Sequence, residues 1–114
     1  MRLTSVIWFA VFRKKEEQRG AFVTVIRKGA QQAGALFIVH NQNDGHVSLY
    51  APAPSILLEN DETDRVFEQV PDCADQESVD KYLESQIRFD PDLWIIETDG
   101  GAGLPDIKII TAEV

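Results

Sequence analysis

Cysteine is almost missing from this chain of 114 residues, where Cys73 stands alone. A lone thiol cannot close an internal disulfide and lacks the second sulfur of a CxxC redox or zinc motif, so a reducing compartment is expected. Long apolar runs are missing too. Val6 to Phe12 is uninterruptedly apolar, but this stretch falls far short of the roughly 20 residues needed to span a bilayer. Arg13 follows at once, without the small-residue cleavage pattern of a secretory leader. Both membrane insertion and secretion are therefore disfavoured. Net positive charge is absent as well: 11 Lys/Arg stand against 19 Asp/Glu, for a net charge of -8. That balance argues against general nucleic-acid binding, because affinity for a phosphate backbone comes from basic side chains that displace counterions.

What is present is the composition of an ordinary globular chain, 44% hydrophobic and 26% charged, of a size that suits one domain over residues 1–114. The charge is unevenly spread. The first fifty residues hold seven Lys/Arg and three Asp/Glu, and the remainder hold four and sixteen. Complementarity within the fold or between two copies accounts for such a split, as does a basic face turned to an anionic partner.

Along the chain, Ser5 can cap a helix over residues 5–19 that carries Trp8, Phe9 and Phe12, with Gly20 as its left-handed terminator. A strand through Leu3 to Phe12 is the alternative, since a continuous apolar run has no diagnostic period. Strands are expected at Ala21 to Arg27, Ala35 to Asn41, His46 to Ala51 and Val66 to Val70, with Asn43-Asp44-Gly45 as a hairpin turn. The acidic stretch containing Glu59, Asp61, Glu62 and Asp64 reads as a solvated loop. Asp75 can cap a second helix whose Val79, Tyr82, Leu83 and Ile87 recur on one face, and Asp90-Pro91 stops it. Leu93 to Thr98 has the character of a central strand and Ile107 to Thr111 that of a last one. The fold class is α+β: an antiparallel or mixed sheet of about five to six strands with two helices packed on one face.

Three segments, GAFVTVIRKG at 20–29, QQAGALFIV at 31–39 and RFDPDLWIIE at 88–97, resemble an alphaproteobacterial family of small proteins, the domain-of-unknown-function family numbered 1491. The resemblance runs from about Leu3 to about Thr98, and the ungapped Arg-Phe-Asp-Pro-Asp-Leu-Trp run is its most specific part. It implies a bacterial cytoplasmic setting and brings no catalytic, cofactor or binding residues with it.

Candidate chemistry must then come from the residues themselves. The two histidines, His40 and His46, flank the hairpin turn, and their relation depends on its register. A two-residue loop sends them to opposite sides; a three-residue loop pairs His40 with Ser48 and Gln42 with His46, placing both histidines on one side. That would be half a metal site, still needing one or two further ligands. No HExxH, Gly-x-Ser-x-Gly or EF-hand spacing is present. Cys73 lies among Asp72, Asp75 and Glu77, whose charges blunt a thiolate. Asp90 and Asp92 straddle Pro91 as local backbone-bonding groups, and Gly100, Gly101 and Gly103 precede no helix that could hold a phosphate. Trp8 and Phe12 beside Arg13, Lys14 and Lys15 form an aromatic-basic surface for a partner or anionic ligand. The leading expectation is a non-enzymatic binding or regulatory module of the bacterial cytoplasm, without a cofactor and with a homodimer as one arrangement. A small metal-dependent enzyme using His40 and His46, and an RNA-associated accessory protein using the basic N-terminal region, are the alternatives.

Overall fold

A computed structural model describes residues 3–42, 44–53, 65–101 and 103–110. Its first helix, α1 (Ser5–Gln18), begins at Thr4, whose hydroxyl accepts weakly from the Ile7 amide at 3.4 Å, and it ends at Gly20 with φ +89°. Ser5, the expected cap, is instead the first helical residue, and its Oγ donates to the Gly34 carbonyl at 2.6 Å. Trp8, Phe12 and Glu16 recur every four residues and are the buried stripe of the helix, as side chains one turn apart share a face. The second helix, α2 (Gln76–Phe89), starts at Asp75, which accepts from the Ser78 amide at 2.8 Å, and buries Val79 and Leu83.

Six strands form one mixed sheet: β1 (Ala21–Arg27), β2 (Leu36–Asn41), β3 (Val47–Pro52), β4 (Val66–Gln69), β5 (Trp94–Gly100) and β6 (Lys108–Ile109). The spatial order is β1-β5-β2-β3-β4-β6. β5 is antiparallel to β1 and parallel to β2, and β6 is parallel to β4. Inserting β5 between β1 and β2 gives its apolar Trp94, Ile95 and Ile96 cover on both faces and both edges, which is why this run lacks a polar alternation. The entry to β5 is tight: Ala30 donates to the Asp92 carbonyl at 2.9 Å, and a Cβ on Gly29 would collide with that carbonyl. Only glycine permits so close a backbone approach.

The helices pack on opposite faces, not on one. Leu36 and Ile38 of β2, with Trp94 and Ile96 of β5, join Trp8 and Phe12 of α1. Phe37 and Val39, with Ile95, join Val79 and Leu83 of α2. Successive side chains of a strand point to opposite faces, so the continuous runs Leu36–Val39 and Trp94–Ile96 each need a cover on both sides. No helix of the described residues is long and apolar enough to cross a membrane.

Candidate functional site

The hairpin adopts the three-residue loop: His40 pairs with Ser48, Asn41 with Val47, and Gln42 donates its amide to the His46 carbonyl at 3.1 Å. The register thus sets His40, Ser48 and His46 on the same side of the ribbon. Their environments differ sharply. His46 is exposed and its Nδ1 lies 3.1 Å from Asp44 Oδ1, whereas His40 is only 5% exposed and its Nδ1 has no hydrogen-bond partner. Among the described residues no group of three or more His, Cys, Asp or Glu could hold a metal ion.

His40 forms part of a cleft of about 340 Å³ lined by His40, Gln42, Gly100, Gly101, Gly103 and Leu104. The topology explains its position. β2 and β5 run parallel with Asn41 beside Asp99, so Gln42, just past β2, and Gly100, the last residue of β5, come side by side at the carboxyl end of the two strands. One strand then turns into the hairpin and the other departs for β6 at the far edge. Diverging connections at the carboxyl ends of parallel strands open a crevice between them. Gly100, Gly101 and Gly103 take φ values of +83°, +73° and +76°, a region that glycine enters without steric cost. At Gly101 a Cβ would also sit 2.7 Å from Arg19 Nη1.

Beneath the glycine-rich wall is a buried ion pair. Glu16 is wholly buried and accepts from Arg19 Nε at 2.7 Å, Arg19 Nη2 at 2.8 Å, Thr98 Oγ1 at 2.7 Å and the Asp106 amide at 2.9 Å. One carboxylate therefore ties α1 to β5 and to the connection that forms the cleft wall. Burial works to raise its pKa, but the hydrogen bonds from Arg19, Thr98 and Asp106 prevail and hold it below the usual carboxylate value. Burial, aided by the Arg19 charge and opposed by Glu16 and Asp99, holds the His40 imidazole below its ordinary value. At neutral pH His40 is thus uncharged, with one ring nitrogen a donor and the other an acceptor.

The aromatic-basic surface is divided by the helix. Trp8 and Phe12 stack at 5.2 Å inside the core, so neither is an exposed anchor. Arg13 pairs with Glu17 at 3.6 Å and lies over the Phe9 ring, while Lys14 and Lys15 are exposed. Lys15 lines a second cleft, of about 260 Å³, with Trp8, Phe12, Arg65, Asp106 and Lys108. Asp90 Oδ1 accepts from the Asp92 amide at 3.1 Å, as a local backbone-bonding group does. Cys73 is buried, and burial together with Asp72 and Asp75 pushes its thiol pKa up. The acidic stretch Glu59 to Asp64 lies outside the described residues. Sequence reasoning missed Glu16, although its place four residues after Phe12 and eight after Trp8 on the apolar stripe marked it.

The sequence pattern of the family described as "Protein of unknown function (DUF1491)" matches residues 3–106. A solved DUF1491 family protein from Caulobacter crescentus CB15 is 28% identical, with a TM-score of 0.79 over 97% of this chain and 100% of that one. Protein Atu0922 from A. tumefaciens, solved in solution, is 29% identical, with a TM-score of 0.83 over 99% and 98%. No curated protein matches the chain. With 104 of its residues inside the family pattern and two such relatives sharing its fold, the chain belongs to the DUF1491 family, to which no function is assigned.

Proposed function

We propose that this protein is a non-enzymatic binding module that holds a small, uncharged, planar hydrogen-bonding ligand in the cleft beside His40. The observation that carries this reading is the imidazole itself: His40 is buried in the cleft wall and its Nδ1 lacks a protein partner. An unsatisfied buried nitrogen is disfavoured by about 1–3 kcal/mol, so a binding event that satisfies it draws affinity from that deficit. His40 of β2 and Gln42, just past the end of that strand, each offer a donor and an acceptor, which matches the edge of an amide or a nitrogen heterocycle. Exposed Leu104 at the rim supplies an apolar surface for the ring. The volume is within the range of small-molecule sites. Glu16 is charge-paired with Arg19, and Asp99 at the strand end beside Asn41 adds a negative charge that disfavours an anionic ligand. The reading places the module in the bacterial cytoplasm, where a lone reduced thiol is stable.

The test is a ¹⁵N amide-shift titration with adenine, cytosine and nicotinamide, and separately with inorganic phosphate and Zn²⁺. Shifts confined to His40, Gln42 and Gly100 to Leu104 with a planar compound, absent in His40→Leu, are the expected result. Silence from every planar compound would overturn it. Zn²⁺ binding that needs both His40 and His46 would favour a metal site instead.

A further inference from the structure

The cations of α1 divide into those with acidic partners and those without. Arg13 pairs with Glu17 and Arg19 with Glu16, while Lys14 and Lys15 make no ion pair among the described residues. Of these two, Lys15 lines the second cleft, of about 260 Å³. The fold brings two further cations to the same place. Arg65, just before β4, donates from Nη2 to the Leu3 carbonyl at 3.2 Å and to Ser5 Oγ at 3.0 Å, which holds its guanidinium in the wall. Lys108 of β6 arrives on the neighbouring strand, beside Val66 in the parallel β4–β6 pair. Asp106 is the one acid among the described residues of the lining. Its charge is already turned to use nearby: after the bond to Glu16, it helps to hold the Arg19 guanidinium above its ordinary pKa.

The remainder of the lining is apolar. Val11 stands one turn before Lys15 on α1, a spacing that puts both on one side of the helix, and it is 43% exposed; Leu3 is exposed as well. The buried rings of Trp8 and Phe12 complete the apolar part. Three cations against one acid therefore stand beside apolar side chains that the fold leaves in water.

We propose that this cleft, between α1 and the β4–β6 edge, binds a small organic anion with an apolar body. Its head is met by Lys15, Arg65 and Lys108, and its body lies along Val11 and Leu3. Charge complementarity selects an anion over a cation, and the apolar wall selects an organic anion over inorganic phosphate, which would leave that wall in water. A nucleic-acid strand is disfavoured, since the cleft offers only a short cationic track on a chain of net charge -8, and affinity for a phosphate backbone grows with the number of cations along it. The cleft shares no described lining residue with the His40 cleft, so this inference stands apart from the reading of that site.

A ¹⁵N amide-shift titration with octanoate and octyl phosphate tests it, with octylamine carrying the same body on a cation and inorganic phosphate supplying the head alone. Both octyl anions should move the amides of Val11, Lys15, Ile107 and Lys108, whereas a ligand in the other cleft moves those of His40 and Gln42. Lys15→Glu should raise the dissociation constant for octanoate about tenfold or more and keep the wild-type melting temperature, since Lys15 is exposed. Lys14→Glu, exposed but outside the cleft lining, should change that constant by less than about twofold in physiological salt. Silence from both octyl anions, equal binding of octylamine, or a Lys15→Glu variant that binds octanoate as wild type does would overturn the proposal. Inorganic phosphate binding as tightly as octyl phosphate would also overturn it, making the cleft the site of an adventitious ion only. So would co-sedimentation with phosphatidylglycerol vesicles without any response to the free anions, a result that assigns the surface to a membrane.

Discussion

The two faces of the sheet are cores of different chemistry. Under α2 the packing is aliphatic and aromatic throughout, with Phe37, Val39, Leu49, Leu93 and Ile95 closed by Val79 and Leu83. Among the described residues, the only side-chain heteroatom of that cluster's buried members is the Cys73 thiol, 3.8 Å from the Ser78 carbonyl, and Tyr82 packs against the cluster half-buried. Under α1 the aromatic rings of Trp8, Phe12, Phe67 and Trp94 share their face with the wholly buried Glu16 and Thr98. His40 is buried at the end of the same face, beside Thr98 in the β2–β5 pair. Apolar packing alone stabilises a sheet, so a buried carboxylate must be fully hydrogen-bonded to be tolerated, as Glu16 is, whereas the unsatisfied His40 imidazole has no stability rationale of its own. Both faces bury an apolar core, and the contrast places the buried polar groups and the cleft on the α1 face.

The largest test of that contrast is Glu16→Ala. It strips the acceptor from Arg19, Thr98 and the Asp106 amide together and leaves a partly buried guanidinium without its partner. Removing one member of a buried pair costs about 3–5 kcal/mol. Urea denaturation should show a loss of this size, and amide exchange at Asp106 and along Gly100 to Leu104 should speed up, because the connection forming the cleft wall has lost its tether. A loss below about 1 kcal/mol would mean that the network is incidental to the fold.

Leu83→Ala probes the opposite face and should cost about 3 kcal/mol, the transfer free energy of the lost side chain plus the cavity left behind. Its amide-shift changes should remain among α2, β2 and β3 and leave the cleft residues unmoved. If the cleft residues responded to Leu83→Ala as strongly as to Glu16→Ala, the two faces would not be separable in this way.

The comparison also explains how far the sequence could be read. The two helices, the hairpin at Asn43-Asp44-Gly45 and the character of each strand were legible, because capping residues, turn glycines and apolar periodicity are local signals. Two hairpin registers were compatible with the residues, and the pairing of His40 with Ser48 realises the three-residue loop. Helix placement was not legible. The alternation of Val47 and Leu49 with Ser48 fits a sheet covered by helices on one face only, yet Ser48 and Tyr50 are buried as well. The insertion of β5 between β1 and β2 depends on contacts distant in sequence, which no local pattern encodes. At the site, Glu16 resembled an ordinary helical ion pair with Arg19, and only its spacing from Trp8 and Phe12 distinguished it. The unsatisfied state of His40 depends on the strand order and had no signal in the sequence.

The smallest and most specific effect concerns pH. The folded-state pKa of His40 is held below the ordinary value of 6.5, first by burial and then by Arg19. The unfolded chain therefore binds a proton at this position at a higher pH than the folded chain does. Linkage then makes its share of stability complete above about pH 6.5 and progressively lost as pH falls through that value toward the folded pKa. Glu16, also held low, begins to lose its share only below about pH 4.5, so the two groups act in separate windows. His40→Leu removes the first window and the orphan nitrogen with it. The variant should be about 1 kcal/mol more stable than wild type at pH 7.5, in line with relief of a buried unsatisfied group. It should also lose less stability than wild type between pH 7.5 and 5.5, as read by urea melts at each pH. Equal slopes for the two proteins over that interval would mean that His40 is already solvated or paired in solution, and the difference between the two faces would then rest on Glu16 alone.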